Sequence, residues 1–206
     1  YLSQEMIDEI KCPIFWIDHH EAISRRGVHY YNPRIEDPAA YIPTSRMCWQ
    51  ITTRTEDIWL ATAGCLADYY VPDFLSEFIS QYPQYLNREY KLPTMLFKKP
   101  VGQLVKLLFF VQKGGQGEVH KSIKIMTRIK TPDEIFQQTT SQGRFIWKRI
   151  QKINQMYHDL LREAKKVVTR NKLILFYYTE DVWSFTTNLA NELIGLFPKK
   201  IVLIAR

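Results

Sequence analysis

Apolar residues recur along the chain with two different spacings, and each spacing predicts one kind of element. Short apolar runs rich in β-branched and aromatic residues predict strands at 12–17, 28–31, 172–178 and 201–204. Apolar residues three and four positions apart predict helices near 2–10, 43–51, 55–67, 74–82, 101–112, 145–168 and 184–196. The pattern therefore predicts a mixed α/β chain in which helices separate parallel strands.

Three helix starts carry a capping signal. At the first, Thr44 and Ser45 follow Pro43, and either offers a hydroxyl. At the second, Thr131 precedes Pro132 and two acidic residues. At the third, Ser184 begins the helix predicted at 184–196. We expect these hydroxyls to be N-caps. The 83–100 stretch, with three prolines at its ends and centre, is interpreted as a connecting region, and 114–117 as a flexible turn that lacks a phosphate-loop pattern.

The ends of the chain suggest elements outside residues 1–206. A buried parallel strand at 12–17 normally has a neighbour that precedes it along the chain. The β-α-β unit at 172–204 leaves one face and edge of its two-stranded sheet uncovered. From this pattern we expect the sequence to be truncated at both ends.

Composition and charge narrow the class of protein. The hydrophobic fraction is 46%, enough for a packed core, and disorder is therefore not expected. Residues 1–100 contain 10 Lys and Arg against 13 Asp and Glu, whereas residues 101–206 contain 18 against 8. The basic half suits a polyanion such as nucleic acid, although lysine-rich helices that simply face solvent explain it equally well.

The cysteines and the apolar runs predict a cytoplasmic protein that does not bind membranes. Cys12, Cys48 and Cys65 are far apart without a Cys-x-x-Cys pair, which favours small core residues in a reducing compartment. No apolar run approaches the roughly 20 residues that span a bilayer. The amino end is polar and does not have the pattern of a signal peptide.

Candidate chemistry begins at the carboxyl end of the 12–17 strand, where Asp18, His19 and His20 follow in succession. Ligands bind at this edge of parallel sheets, and three potential metal or phosphate ligands are hard to explain by packing. The alternative is a polar surface loop. Asp68 ends the apolar 55–67 helix and needs a partner, which a metal, an arginine or a backbone group would supply. Arg34 follows the second predicted strand. It is interpreted either as a residue that contacts phosphate or as a solvent-exposed loop residue.

Four short stretches together resemble the DHH phosphoesterase superfamily, with the greatest likeness to RecJ-like exonucleases of the archaeal type and related oligoribonucleases. They are IDHHE at 17–21, VHYYNPR at 28–34, PTS at 43–45 and GCLAD at 64–68. Residues 184–206 resemble the start of that family's DHH-associated domain. The likeness covers most of the chain, and covers 83–170 only loosely.

The resemblance implies metal-dependent hydrolysis of phosphodiester bonds by a two-ion centre of Mn²⁺ or Mg²⁺. It makes Asp18, His19, His20 and Asp68 the catalytic set, with His19 and Asp68 as metal ligands. His20 would contact the substrate phosphate or hold the site together, and Asp18 would orient the histidines. The substrate would be single-stranded DNA or short RNA, and replication or repair proteins are possible partners.

The resemblance also implies a domain division and shows what the chain lacks. The DHH domain would occupy residues 1–113 and would lack its amino-terminal part. A basic helical connector would occupy residues 114–170, and the beginning of the DHH-associated domain would occupy residues 171–206. Further aspartates from two earlier family motifs are not present, and we expect the segment alone to be inactive. Two alternatives remain: a non-catalytic replication scaffold of this fold, or hydrolysis of a small compound such as a cyclic dinucleotide or pyrophosphate.

Overall fold

A computed structural model describes residues 2–179 and 183–206, and contacts divide the chain into two compact units, 1–75 and 76–206. Each unit contains one parallel sheet of two strands together with several helices. The prediction of a mixed chain with parallel strands is therefore confirmed. The division at 113 and 170 that the family resemblance implies stays a prediction.

The first unit places two short strands beside a pair of packed helices. Its elements are α1 (Gln4–Glu9), β1 (Phe15–Ile17), β2 (His29–Tyr31), α2 (Thr44–Thr52) and α3 (Ile58–Ala67). In the parallel register Phe15 pairs with His29 and Ile17 pairs with Tyr31. The prediction of a buried strand at 12–17 was wrong in length and in burial. β1 has three residues, Phe15 is 75% exposed, and Trp16 and Ile17 are only half-buried.

The core of the first unit is α3, which is apolar nearly all round. Trp59, Ala63, Cys65 and Leu66 are fully buried, as the unbroken apolar run predicted. α2 packs against this helix with Met47 inward. Burial of α3 fixes the position of its carboxyl end, where Asp68 is the C-cap.

The second unit is mainly helical and ends in a β-α-β unit. Its elements are α4 (Leu75–Gln81), which starts at the boundary, α5 (Leu92–Lys98), α6 (Val101–Val111), α7 (Gln116–Met126), α8 (Asp133–Phe136), α9 (Ser141–Lys166), β3 (Leu173–Tyr177), α10 (Thr186–Leu196) and β4 (Ile201–Ala205). β3 and β4 are parallel, with Leu175 opposite Leu203. Alternate residues of β3 are exposed, and the two strands are therefore buried on one face rather than on both.

Several boundaries differ from those predicted. The 83–100 stretch contains α5, and Gln116 of the expected turn already begins α7. The N-caps are Pro43, Pro132 and Phe185, none with a capping hydroxyl. The hydroxyl signals predicted these helices correctly and their caps wrongly. The Thr44 hydroxyl contacts the His19 ring instead, and the Ser184 hydroxyl lies 3.5 Å from that of Thr186.

Two further properties follow from the surface of the structure. Cys65 is a core residue as predicted, whereas the prediction was wrong for Cys12 and Cys48, which are exposed. Among the residues described, no helix combines the length and the apolar character that a membrane span needs. The longest helix, α9, has charged residues along most of its length.

A buried charged network joins three helices of the second unit. Glu192 of α10 is 7% exposed, and its Oε2 accepts a hydrogen bond from Tyr157 Oη of α9 at 2.5 Å. Lys106 Nζ of α6 lies 2.8 Å from the same oxygen. Burial and the neighbouring Glu192 carboxylate raise the pKa of Tyr157, so the phenol stays protonated and keeps donating. A buried carboxylate is tolerated here because two donors satisfy it.

We predict that Tyr157→Phe lowers the free energy of unfolding by roughly 1.5–3 kcal/mol, since it removes a donor from a buried charged group. Urea unfolding followed by circular dichroism measures the change. The matched control is Tyr177→Phe, whose ring is 77% exposed and which should change the free energy by no more than about 0.5 kcal/mol. Equal effects of the two variants would contradict a stabilising role for the network.

Candidate functional site

The Asp18 carboxylate holds together the turn that follows β1. Its Oδ1 accepts hydrogen bonds from the backbone N–H groups of His19 at 2.8 Å and His20 at 3.2 Å, and lies 2.7 Å from His20 Nδ1. The backbone N–H of Asp18 donates to Tyr31 O, which continues the β1–β2 ladder by one residue. Asp18 is therefore locked into the sheet through its backbone and into the turn through its side chain.

The ionised form of Asp18 is favoured in this setting. Burial alone raises the pKa of the carboxyl, but the hydrogen bonds from the His20 ring and from the two N–H groups outweigh burial and hold the pKa below its usual value. Asp18 is consequently a carboxylate at neutral pH, although its side chain is only 9% exposed. The carboxylate contacts the His20 ring and only the backbone of His19, and the role of Asp18 in positioning the histidines, which the family resemblance implies, stays a prediction.

His19 lies between the start of α2 and the end of α3. Its Nδ1 is 3.0 Å from Thr44 Oγ1 at the start of α2, and its Nε2 is 3.9 Å from Asp68 Oδ2 at the end of α3. A proton on Nδ1, donated to the Thr44 hydroxyl, leaves the lone pair of Nε2 directed towards Asp68. The structure thus brings together two side chains that are separated by about fifty residues in the sequence.

Close packing of α2 against α3 produces this arrangement. A Cβ atom at Gly64 would lie 2.7 Å from Ser45 Cβ, so only glycine allows the two helices to approach this closely. Ser45 follows Thr44, and Asp68 lies one turn beyond Gly64. The glycine contact therefore sets the separation of the two residues on either side of the His19 ring.

Asn32 holds the other side of the turn. This buried residue donates from Nδ2 to His20 O at 2.9 Å, and its Oδ1 accepts from the backbone N–H of Arg34 at 3.0 Å. It also caps the 3₁₀ turn Pro33–Ile35. The backbone at His20 is consequently fixed, while the His20 side chain is 62% exposed and accessible to a ligand.

Asp68 is the most exposed member of the predicted set apart from His20. Its side chain is 40% exposed, and its backbone carbonyl accepts a hydrogen bond from Tyr41 Oη. The edge of the Tyr41 ring faces the His19 ring, with 6.3 Å between their centroids. Nearby, burial raises the pKa of Cys65 to about 11, so this cysteine remains a thiol and is a poor metal ligand.

Arg34 has a different setting from the other predicted residues. It lies in the 3₁₀ turn, and its Nε donates to Pro38 O at 3.0 Å. This bond ties the side chain to its own loop. Its role as a phosphate contact stays a prediction.

The donor set fits one divalent ion better than two. Asp18, His19 and His20 each offer an atom within 4.8 Å of the others, and Asp68 Oδ2 lies 3.9 Å from His19 Nε2. Because Asp18 Oδ1 already accepts three hydrogen bonds, His19 Nε2 and Asp68 Oδ2 are the first candidate ligands, and Asp18 Oδ2 and His20 Nε2 are further candidates. The two atoms are 3.9 Å apart, whereas neighbouring octahedral ligands at ~2.0–2.2 Å from one ion lie about 3 Å apart, so the two side chains must move closer together to share an ion. Within 2–179 and 183–206, Asp18, His19 and His20 form the one such ligand group.

Three contributors were missed by the sequence analysis. The hydroxyl of Thr44 was assigned to helix capping, Asn32 to the end of a strand, and Tyr41 was not singled out. The dipeptide Asn32-Pro33 was a usable signal, because an asparagine before a proline turn often bonds the backbone. The contacts of Thr44 and Tyr41 depend on tertiary packing and left no local signal.

Comparisons of the chain with protein-family models, with curated proteins and with solved structures find no match.

We predict that Asp18→Asn destabilises the chelator-treated protein mainly at neutral pH. Because the folded pKa of Asp18 is lowered, its contribution is present above the unfolded value of about 3.9 and is lost as the pH falls through the lower folded value. The difference in unfolding free energy between wild type and variant should be roughly 1–2 kcal/mol at pH 6 and should be smaller at about pH 3, which lies below the unfolded value. Urea unfolding at both pH values measures it, and a difference that is independent of pH would contradict the assignment.

Proposed function

We propose that the chain takes part in metal-dependent hydrolysis of phosphodiester bonds in single-stranded nucleic acid or short oligonucleotides. The observation that supports this most strongly is the approach of His19 Nε2 and Asp68 Oδ2 to 3.9 Å from two sequence motifs that both resemble the DHH family. The proposal includes that family's architecture, a DHH domain followed by a DHH-associated domain, and a cytoplasmic location. Replication or repair proteins would be partners.

Each residue of the site has a distinct task in this proposal. His19 and Asp68 bind a divalent ion, and the Thr44 hydroxyl holds the His19 ring in the tautomer that presents Nε2. Mn²⁺ or Mg²⁺ suits one imidazole with carboxylate oxygens better than Zn²⁺ does, and it would activate a water and stabilise charge on the phosphate. His20, exposed and anchored through Asp18 and Asn32, contacts the phosphate. A second ion needs carboxylates beyond these four side chains.

The charge of the second unit supports a polyanionic substrate. Residues 120–172 contain 13 Lys and Arg against 4 Asp and Glu. Two of these lysines lie over aromatic rings: Lys121 Nζ is 5.0 Å from the Phe145 centroid, and Lys152 Nζ is 5.9 Å from that of Trp183. Cationic side chains beside aromatic rings are the groups that bind phosphates and stacked bases of single strands. This favours an oligonucleotide over a small phosphate compound.

The ligand assignment also separates an enzyme from a scaffold of the same fold. A scaffold needs neither a Thr44-oriented imidazole nor an exposed carboxylate beside it. Binding of Mn²⁺ to this pair therefore distinguishes the two functions, and cleavage confirms the enzyme.

We predict that His19→Ala weakens Mn²⁺ binding by more than tenfold, and that Thr44→Val, which removes the orienting hydroxyl, weakens it about 10-fold or more. Electron paramagnetic resonance of unbound Mn²⁺ measures the affinity even when it is weak. The matched controls are His29→Ala, whose ring stacks on Phe15, and Thr52→Val, whose hydroxyl donates to Cys48 O within α2. Equal loss in His29→Ala and His19→Ala would remove His19 from the site.

Cleavage is assayed on the whole protein that the gene encodes, with a labelled single-stranded oligonucleotide and Mn²⁺. We expect hydrolysis that chelator abolishes, that His19→Ala and Asp68→Asn reduce by at least 100-fold, and that His29→Ala preserves. Hydrolysis that persists in both ligand variants would contradict the proposed function, as would the absence of Mn²⁺-dependent cleavage by the wild-type protein.

A further inference from the structure

The second unit contains a cavity of about 530 Å³, and none of the proposed metal-binding residues lines it. Its walls come from α5, α6, the end of α8 and the middle of α9, all within residues 96–158. This volume lies in the range of roughly 300–1,000 Å³ that small-molecule sites occupy. The side chains around it fall into an aromatic group, a cationic group and an amide group.

The aromatic group provides a flat apolar surface. It consists of the partly exposed Phe97, Phe136 and Trp147 and of Phe110, which is buried. Trp147 meets Phe136 edge to face, with 5.8 Å between the ring centroids. This contact holds the indole in place, and its accessible part can stack on a flat ligand.

The cationic group gives the cavity a positive charge. Lys98, Lys99 and Lys106 line it, and neither an aspartate nor a glutamate is among the described residues of its lining. Lys106 is neutralised by Glu192, 2.8 Å away. In contrast, Lys98 and Lys99 form no ion pair with any residue of the described ranges, and Lys99 Nζ is held 4.1 Å from the Tyr90 ring centroid. Two lysine charges are thus available to an anion.

The amide group adds hydrogen-bonding capacity between these two regions. Gln103 lies on α6, and Gln151 and Asn154 lie one turn apart on α9. Each side-chain amide offers two donors and one acceptor oxygen. Such groups match a ligand edge that contains both donors and acceptors, as the edge of a nucleobase does.

We propose that this cavity binds a mononucleotide, with the base against Trp147 and the amides and the phosphate at Lys98 and Lys99. A fatty acid would make no use of the three amides that line the cavity. An inorganic anion would use only the lysines and leave the aromatic surface unoccupied. The site uses none of Asp18, His19, His20 or Asp68, so it goes beyond the proposed hydrolysis and does not depend on it.

Isothermal titration of the protein with AMP, adenosine and inorganic phosphate tests the proposal in chelator-treated, metal-free buffer. We expect saturable binding of AMP with one site per chain, and affinities at least tenfold lower for adenosine and for phosphate. Equal affinity for AMP and phosphate would overturn the proposal in favour of a simple anion site, and no binding of AMP would overturn it outright.

Two variants place the site in the cavity. The double substitution Lys98→Gln with Lys99→Gln should weaken AMP binding roughly tenfold and leave adenosine binding unchanged. Lys124→Gln, an exposed lysine in the last turn of α7, is the control and should not change either affinity. Trp147→Leu should weaken both ligands, in protein whose circular dichroism spectrum shows that it is folded. AMP affinity that is unchanged in the double variant and in Trp147→Leu would place any binding elsewhere and overturn the proposal.

Discussion

The Asp18 carboxylate is the constraint on which the candidate site depends. One oxygen accepts from two backbone N–H groups and the His20 ring, while the backbone of the same residue extends the β1–β2 ladder. A charged oxygen with several N–H donors fixes a turn more firmly than neutral hydrogen bonds do. That turn carries His19 and His20, so one carboxylate fixes the backbone at both histidines and the direction of the His20 ring.

The second half of the site depends on helix packing rather than on hydrogen bonds. The absence of a side chain at Gly64 lets α2 approach α3 at Ser45, and this approach places Thr44 and Asp68 on opposite sides of the His19 ring. The carboxylate fixes the turn locally, and the apolar core of α3 brings the two helix ends to it.

The sequence predicted the features that depend on the periodicity of apolar residues. It did not predict which of several available hydrogen-bond partners a polar side chain contacts. The apolar runs at 172–178 and 201–204 predicted parallel strands, and the continuous apolar run of α3 predicted its burial. The hydroxyl of Thr44 was expected to cap α2, but it contacts His19 instead, and no local pattern distinguishes these choices. Asn32 likewise bonds the backbone of a residue in a different loop. The proximity of His19 and Asp68 was suggested by family resemblance, since spacing alone does not join residues fifty positions apart.

The central claim is that His19 is a ligand of a divalent ion. Pulsed electron paramagnetic resonance of Mn²⁺ bound to the protein tests it directly, because a nitrogen bonded to the ion modulates the electron spin echo. The account predicts the ¹⁴N modulation of one coordinated imidazole in the wild type and in His29→Ala, and its loss in His19→Ala. Modulation that persists unchanged in His19→Ala, or bound Mn²⁺ without nitrogen modulation in the wild type, would contradict the account.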